Sequence, residues 1–79
     1  MNLTELKIGQ LARITSVNSS PFKEKLEEMG CYQGIIIKPL YKAPFGDPIA
    51  YLLDEYTLSM RKAEAESIEV KPLDPLFSE

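Results

Sequence analysis

The stretch Ile49-Ala50-Tyr51-Leu52-Leu53-Asp54-Glu55-Tyr56-Thr57-Leu58-Ser59-Met60 decides the fold. Ile49, Tyr51 and Leu53 fall on one side of an extended chain. After Asp54-Glu55, Tyr56, Leu58 and Met60 alternate with Thr57, Ser59 and Arg61. A period of two belongs to β-strands, and two such runs joined by two polar residues predict a hairpin with one dry and one wet face. Just upstream, Ala43-Pro44-Phe45-Gly46-Asp47-Pro48 carries two prolines and a Gly-Asp pair, the composition of a turn. Before that turn, Ile35, Ile37 and Pro39 alternate with Ile36, Lys38 and Leu40, which predicts a further strand.

Further upstream the period changes. Phe22, Leu26 and Met29 stand at i, i+4 and i+7, while Lys23, Glu24, Lys25, Glu27 and Glu28 fall on the opposite side. That spacing predicts an amphipathic helix over about residues 21–29. Ser19 and Ser20 are candidate N-caps, Pro21 suits the first helical position, and Gly30 suits a left-handed C-cap. Gln10 to Val17 reads as a strand with Ala12 and Ile14 on one face and Arg13 and Thr15 on the other. Leu3 and Leu6 predict one helical turn that plugs an end of the fold, closed at Gly9. Downstream, Lys62 to Ser67 suits a helical turn, and Ile68 and Val70 a short closing strand.

The expected fold is therefore mainly β: five short strands with one short α-helix between the first two. Strands this few and short hide their edges by curling into a partly closed barrel. The single helical turn before the last strand favours an SH3-like barrel, with the OB-fold as the competitor. The domain is expected over residues 1–70. The segment 71–79, with Pro72, Leu73, Pro75, Leu76 and Phe77, is expected to be a tail strapped to the barrel.

Composition narrows the function. At 79 residues the chain holds one domain, and a domain of this size buries only about 60% of the surface its unfolded form exposes. Cys31 is the sole cysteine, so no disulfide supports it. The start lacks the basic and continuous apolar regions of a signal peptide, and no apolar run approaches the ~20 residues of a membrane span, so a soluble cytoplasmic protein is expected. The net charge of −3, from 9 basic and 12 acidic residues, weighs against nucleic acid.

Chemistry has little to work with. The chain contains no histidine, which removes the commonest general base and metal ligand together. Cys31 lies between Gly30 and Tyr32 and reads as a small buried hydrophobe with no base to activate it. The carboxylates of the helix, Glu24, Glu27 and Glu28, alternate with lysines as on a solvated face, and offer no ligand set for a metal. No phosphate-binding glycine pattern is present. No catalytic residue, cofactor or metal site is expected, and the protein is not expected to be an enzyme.

Exposed-looking apolar groups remain, and these mark candidate partner contacts. Phe45 stands at the tip of a proline-bounded turn beside Pro44 and Asp47. Ile36 must face outward, because three consecutive isoleucines cannot all point into one core. Leu26 on the helix is a secondary candidate, with core packing as its other reading.

Several of these blocks together resemble the FeoA family of small bacterial ferrous iron transport proteins. The matching pieces are Leu3, Leu6 and Gly9; Ala12-x-Ile14; Lys25-Leu26-x-x-Met29-Gly30 and Gly34; Ala43-Pro44-Phe45-Gly46-Asp47-Pro48-Ile49; and Arg61-Lys62-x-x-Ala65-x-x-Ile68-x-Val70. The resemblance implies an SH3-like barrel and an accessory or regulatory role, with the cytoplasmic portion of the membrane transporter FeoB as partner. Independently of the resemblance, the charge argues against nucleic acid, the short apolar runs argue against direct membrane insertion, and exposed strand edges in so small a barrel leave room for a homodimer. Two alternatives stay open. One is a nucleic-acid-binding barrel that uses its four tyrosines, Tyr32, Tyr41, Tyr51 and Tyr56, for stacking. The other is a metal-responsive regulatory domain. Pro39 departs from the family, which usually has a β-branched residue there, so its strand must lie at an edge or carry a bulge.

Overall fold

A computed structural model describes residues 1–73. Five antiparallel strands form one sheet: β1 (Ala12–Val17), β2 (Ile36–Lys42), β3 (Ile49–Leu53), β4 (Tyr56–Met60) and β5 (Ile68–Pro72), in the order β4-β3-β2-β1-β5. Helix α1 (Lys23–Glu28) lies between β1 and β2, and the short helix α2 (Lys62–Ala65) links β4 to β5. This is the mainly β, five-stranded architecture expected from the alternation, with a 3-10 turn at Leu3–Glu5 placing Leu3 and Leu6 in the core.

The hairpin at residues 49–60 pairs in register from Ile49↔Met60 to Leu53↔Tyr56. Its turn needs a left-handed residue, and Asp54 takes it at φ 54°. The expected wet face of β3 is drier than alternation allows: Ala50 is buried along with Ile49, Tyr51 and Leu53. β3 sits between β2 and β4, so the sheet shields a side chain as small as alanine.

In β1 the alternation breaks once. Ala12, Ile14 and Val17 are all buried, because the ladder with β5 shifts between Ile14 and Ser16 and turns the last residue inward. β1 also starts two residues later than expected. The Gln10 side chain accepts the Lys7 N–H at 2.9 Å while its own N–H reaches the Lys7 carbonyl, which holds residues 7–10 in a turn.

Helix α1 begins at Lys23 with Phe22 at the N-cap, later than Ser19, Ser20 and Pro21 suggested. Ser20 instead caps the preceding turn, its hydroxyl accepting the Phe22 N–H at 3.2 Å. The C-terminus follows the sequence signal. Gly30 (φ +101°) donates to the Glu27 carbonyl and Cys31 to the Leu26 carbonyl, the paired bonds of a Schellman closure. Cys31, the next residue, drops fully into the core.

Pro39 lies inside β2 beside a bulge, the β2–β3 register shifting between Pro39 and Tyr41, and its missing N–H is on the β1 side, beyond the last paired residue Ile37. On that side β1 pairs only with Ile36 and Ile37, and the Pro39 carbonyl accepts the Gly9 N–H at 2.8 Å. Strand β5 runs through Pro72, and the Leu73 N–H donates to the Leu11 carbonyl. Pro75, Leu76 and Phe77, expected to form the strap, lie outside the described residues.

Candidate interaction site

The β2–β3 turn is built from its base upward. Lys42 and Ile49 pair across its mouth, and the Ala43 N–H donates to the Pro48 carbonyl at 2.9 Å. Within it the Gly46 N–H donates to the Ala43 carbonyl at 2.7 Å, with Gly46 at φ +87°, so residues 43–46 close tightly. The Asp47-Pro48 bond is cis. A further tie comes from far along the chain. The Asp47 carboxylate accepts the Lys62 N–H at 2.8 Å, which fastens the turn to the first residue of α2.

Phe45 stands at the tip with 99% of its surface exposed. An apolar ring on a turn held from both flanks has no contact of its own to satisfy. Pro44 beside it is exposed, and Tyr41, just before the turn, is 62% exposed. Pro44, Phe45 and Asp47 thus form one unit: a presented apolar tip and the carboxylate that fixes it.

The other two candidates do not join them. Ile36 is half-buried and begins β2, while the turn follows the strand's end. Six residue steps at ~3.3 Å place them roughly 20 Å apart. Leu26 is 0% exposed, so its side chain contacts the core and cannot reach a partner on the folded surface. It is removed from the contact set: α1 has one apolar stripe, and Leu26 is the middle of the face that fills the barrel, with Phe22 and Met29 packed half-buried on either side.

Two features escaped the sequence reading. Glu64 of α2 is buried, and its carboxylate accepts the Lys25 ammonium at 2.6 Å and the Arg61 N–H at 2.9 Å. The hydrogen bond from Lys25 is the main force holding its pKa below the ordinary 4.5, outweighing the desolvation that would raise it. That pair joins α1 to α2. The Tyr56 hydroxyl donates to the Met29 carbonyl, which joins α1 to β4. Both links span dozens of residues, and no local pattern announces them. Cys31 is fully buried, and burial pushes its thiol up to about 11, the opposite of what a nucleophile or metal ligand needs.

No helix among the described residues is long and apolar enough to cross a membrane. What this arrangement offers is an apolar protrusion on a turn tied at both flanks.

Comparison with known proteins gives this geometry a family. The FeoA domain matches over residues 1–72. A Porphyromonas gingivalis Fe(2+) transport protein A/Fe(2+) transporter FeoB fusion protein is 36% identical over 72 residues; these cover 90% of this chain but only 8% of that relative's length. The solution structure of FeoA from Chlorobium tepidum is 42% identical, with a TM-score of 0.84 over 92% of this chain and 70% of that one. The crystal structure of Stenotrophomonas maltophilia FeoA with zinc, described as a procaryotic SH3 domain protein, is 25% identical with a TM-score of 0.79, covering 90% and 89%. The mainly β, SH3-like architecture agrees with these relatives, and the chain belongs to the FeoA family.

Proposed function

We propose that this protein is a small cytoplasmic accessory or regulatory subunit of bacterial ferrous iron uptake, acting through contact with the cytoplasmic portion of the FeoB transporter and without catalysis. The observation that carries this reading is Phe45, an almost completely exposed aromatic ring on a turn fixed at both flanks. A ring so placed costs little conformational entropy to dock and is the residue type that anchors interfaces. The partner is suggested by the relative in which a FeoA-like domain and FeoB share one polypeptide, an arrangement that raises the effective concentration of one for the other. Phe45 and Pro44 make the contact, Asp47 holds them in place, and Ile36 and the charged face of α1 are secondary candidates. The outer strand β4 carries no charged side chain, which leaves an edge on which two copies could pair; light scattering at micromolar concentration would show a doubled mass if they do.

The test is capture of the transporter's purified cytoplasmic portion by the wild-type protein and by Phe45→Ala. The variant keeps its melting temperature, since the ring contributes no core burial, and binds about tenfold or more weakly, as expected for an aromatic anchor. A folded variant that binds as well as the wild type removes Phe45 from the interface.

A further inference from the structure

Three exposed cations, Lys42, Arg61 and Lys62, stand at the same end of the sheet as the Phe45 turn, in a chain whose net charge is −3. The ladder explains the placement. Lys42, Ile49 and Met60 occupy one row across β2, β3 and β4. Lys42 leads into the turn, and Arg61 and Lys62 follow Met60 at the same end of the sheet. Asp47 then ties the turn to the Lys62 N–H. All three cationic side chains are exposed, and none forms an ion pair among the described residues.

Two of the acidic groups nearby are already engaged, and Glu66 is exposed one helical turn beyond Lys62. Asp47 accepts the Lys62 N–H, and the buried Glu64 holds the Lys25 ammonium and the Arg61 N–H. Counting Glu64 against Lys25, the cations Lys42, Arg61 and Lys62 stand against Asp47 and Glu66, a local balance of +1 at the end of the sheet that carries the exposed phenyl ring. Over a screening length of about 10 Å the local balance, not the net charge, is what an approaching surface meets.

The geometry points to a partner surface of stated chemistry: an apolar pocket for the Phe45 ring, rimmed by the carboxylates of a protein. This inference rests on the reading of Phe45 as the contact. Anionic lipid shares the same charge, but three cations at about 1 kcal/mol each are too few for a stable membrane anchor. Phe45 supplies burial, while Lys42, Arg61 and Lys62 supply attraction and orientation. Rim charges of this kind act on the association rate and its salt dependence.

The probe is again the purified cytoplasmic portion of the transporter, with affinity measured at about 50 mM and about 300 mM salt. Wild-type affinity falls with salt, by about tenfold across that range. The triple variant Lys42→Glu, Arg61→Glu, Lys62→Glu binds about tenfold or more weakly at low salt and loses the salt dependence. Phe45→Ala binds weakly but keeps the dependence. Circular dichroism and melting temperature check that each variant is folded; if the charge reversal unfolds the domain, Lys42→Gln, Arg61→Gln, Lys62→Gln replaces it with the same expectation. Salt-independent binding, unchanged by the charge variants while Phe45→Ala is impaired, overturns the acidic partner and leaves the Phe45 reading standing. Unimpaired Phe45→Ala overturns that reading instead. Sedimentation of the wild type with phosphatidylserine vesicles, abolished in the charge variant, assigns the cations to lipid and overturns the inference.

Discussion

Gly30 closes α1 at φ +101°, and a Cβ built there meets the Tyr56 hydroxyl in a collision. Gly30→Ala therefore carries two separable costs. The backbone cost of a left-handed alanine is about 1–2 kcal/mol. The second cost arises because Tyr56 must swing away, which breaks its hydrogen bond to the Met29 carbonyl, a loss of about 0.5–1.5 kcal/mol. The expected total is about 2–3 kcal/mol, which in a domain this small lowers the melting temperature on the order of 10 °C or more. Tyr56→Phe isolates the second cost. With the hydroxyl removed, the nearest atom to the new Cβ is the Tyr56 Cζ at 3.4 Å, an ordinary contact. In that background Gly30→Ala should cost only the backbone part, giving a coupling of about 1 kcal/mol in the double-mutant cycle. Gly34→Ala is the internal control, because Gly34 has a similar φ of +95° and open space around its missing Cβ. The assay is urea unfolding of the four proteins of the cycle and the control. Strictly additive costs at Gly30 and Tyr56 would refute the collision, and a Gly34→Ala as costly as Gly30→Ala would do the same.

Two further outcomes follow from the core and from α2. Leu26→Ala should cost about 3 kcal/mol, much of the stability of a small domain, so any loss of partner capture should track the fraction unfolded. Leu26→Met should restore both, and a fully folded Leu26→Ala that no longer captures the partner would return Leu26 to the interface. Glu64→Gln should destabilise by about 1 kcal/mol at neutral pH, because the Lys25 and Arg61 donors lose their charged acceptor. The Glu64 pKa lies below 4.5 in the folded protein, so the carboxylate's contribution is full above that value and fades as pH falls through the folded pKa. Unfolding at about pH 7 and about pH 3 should show the wild-type advantage shrinking at the lower pH; an equal gap at both would assign it to packing.

What the sequence made legible was local. The 49–60 hairpin, the apolar face of α1 and the glycine closure at Gly30 are each specified within a dozen residues, so their periods and turn residues suffice. The misses come from interactions across long separations or from side chains that compete with the backbone. Gln10 delays β1 by closing a turn on Lys7, and a shift in the β1–β5 ladder turns Val17 inward. The candidate site was half visible. A proline-bounded turn marks Phe45 as exposed, but nothing in the pattern shows that Asp47 reaches Lys62, 15 residues on, or that Ile36 sits at the opposite end of the same strand. Leu26 shows the same limit from the other side: an apolar residue on a helix face looks alike in sequence whether the face fills a core or meets a partner.

Pro39 has a consequence for how the chain finds its register. Residues 35, 37 and 39 turn their backbone groups toward β1, and Pro39 has no N–H to give there, only the carbonyl that Gly9 uses. If β1 slid two residues along β2, Ala12 would face that missing donor, and its carbonyl would be left without a partner inside the sheet. The proline is a stop at one end of the rail: it makes a two-residue slide of the first strand in its direction unfavourable before the core has packed.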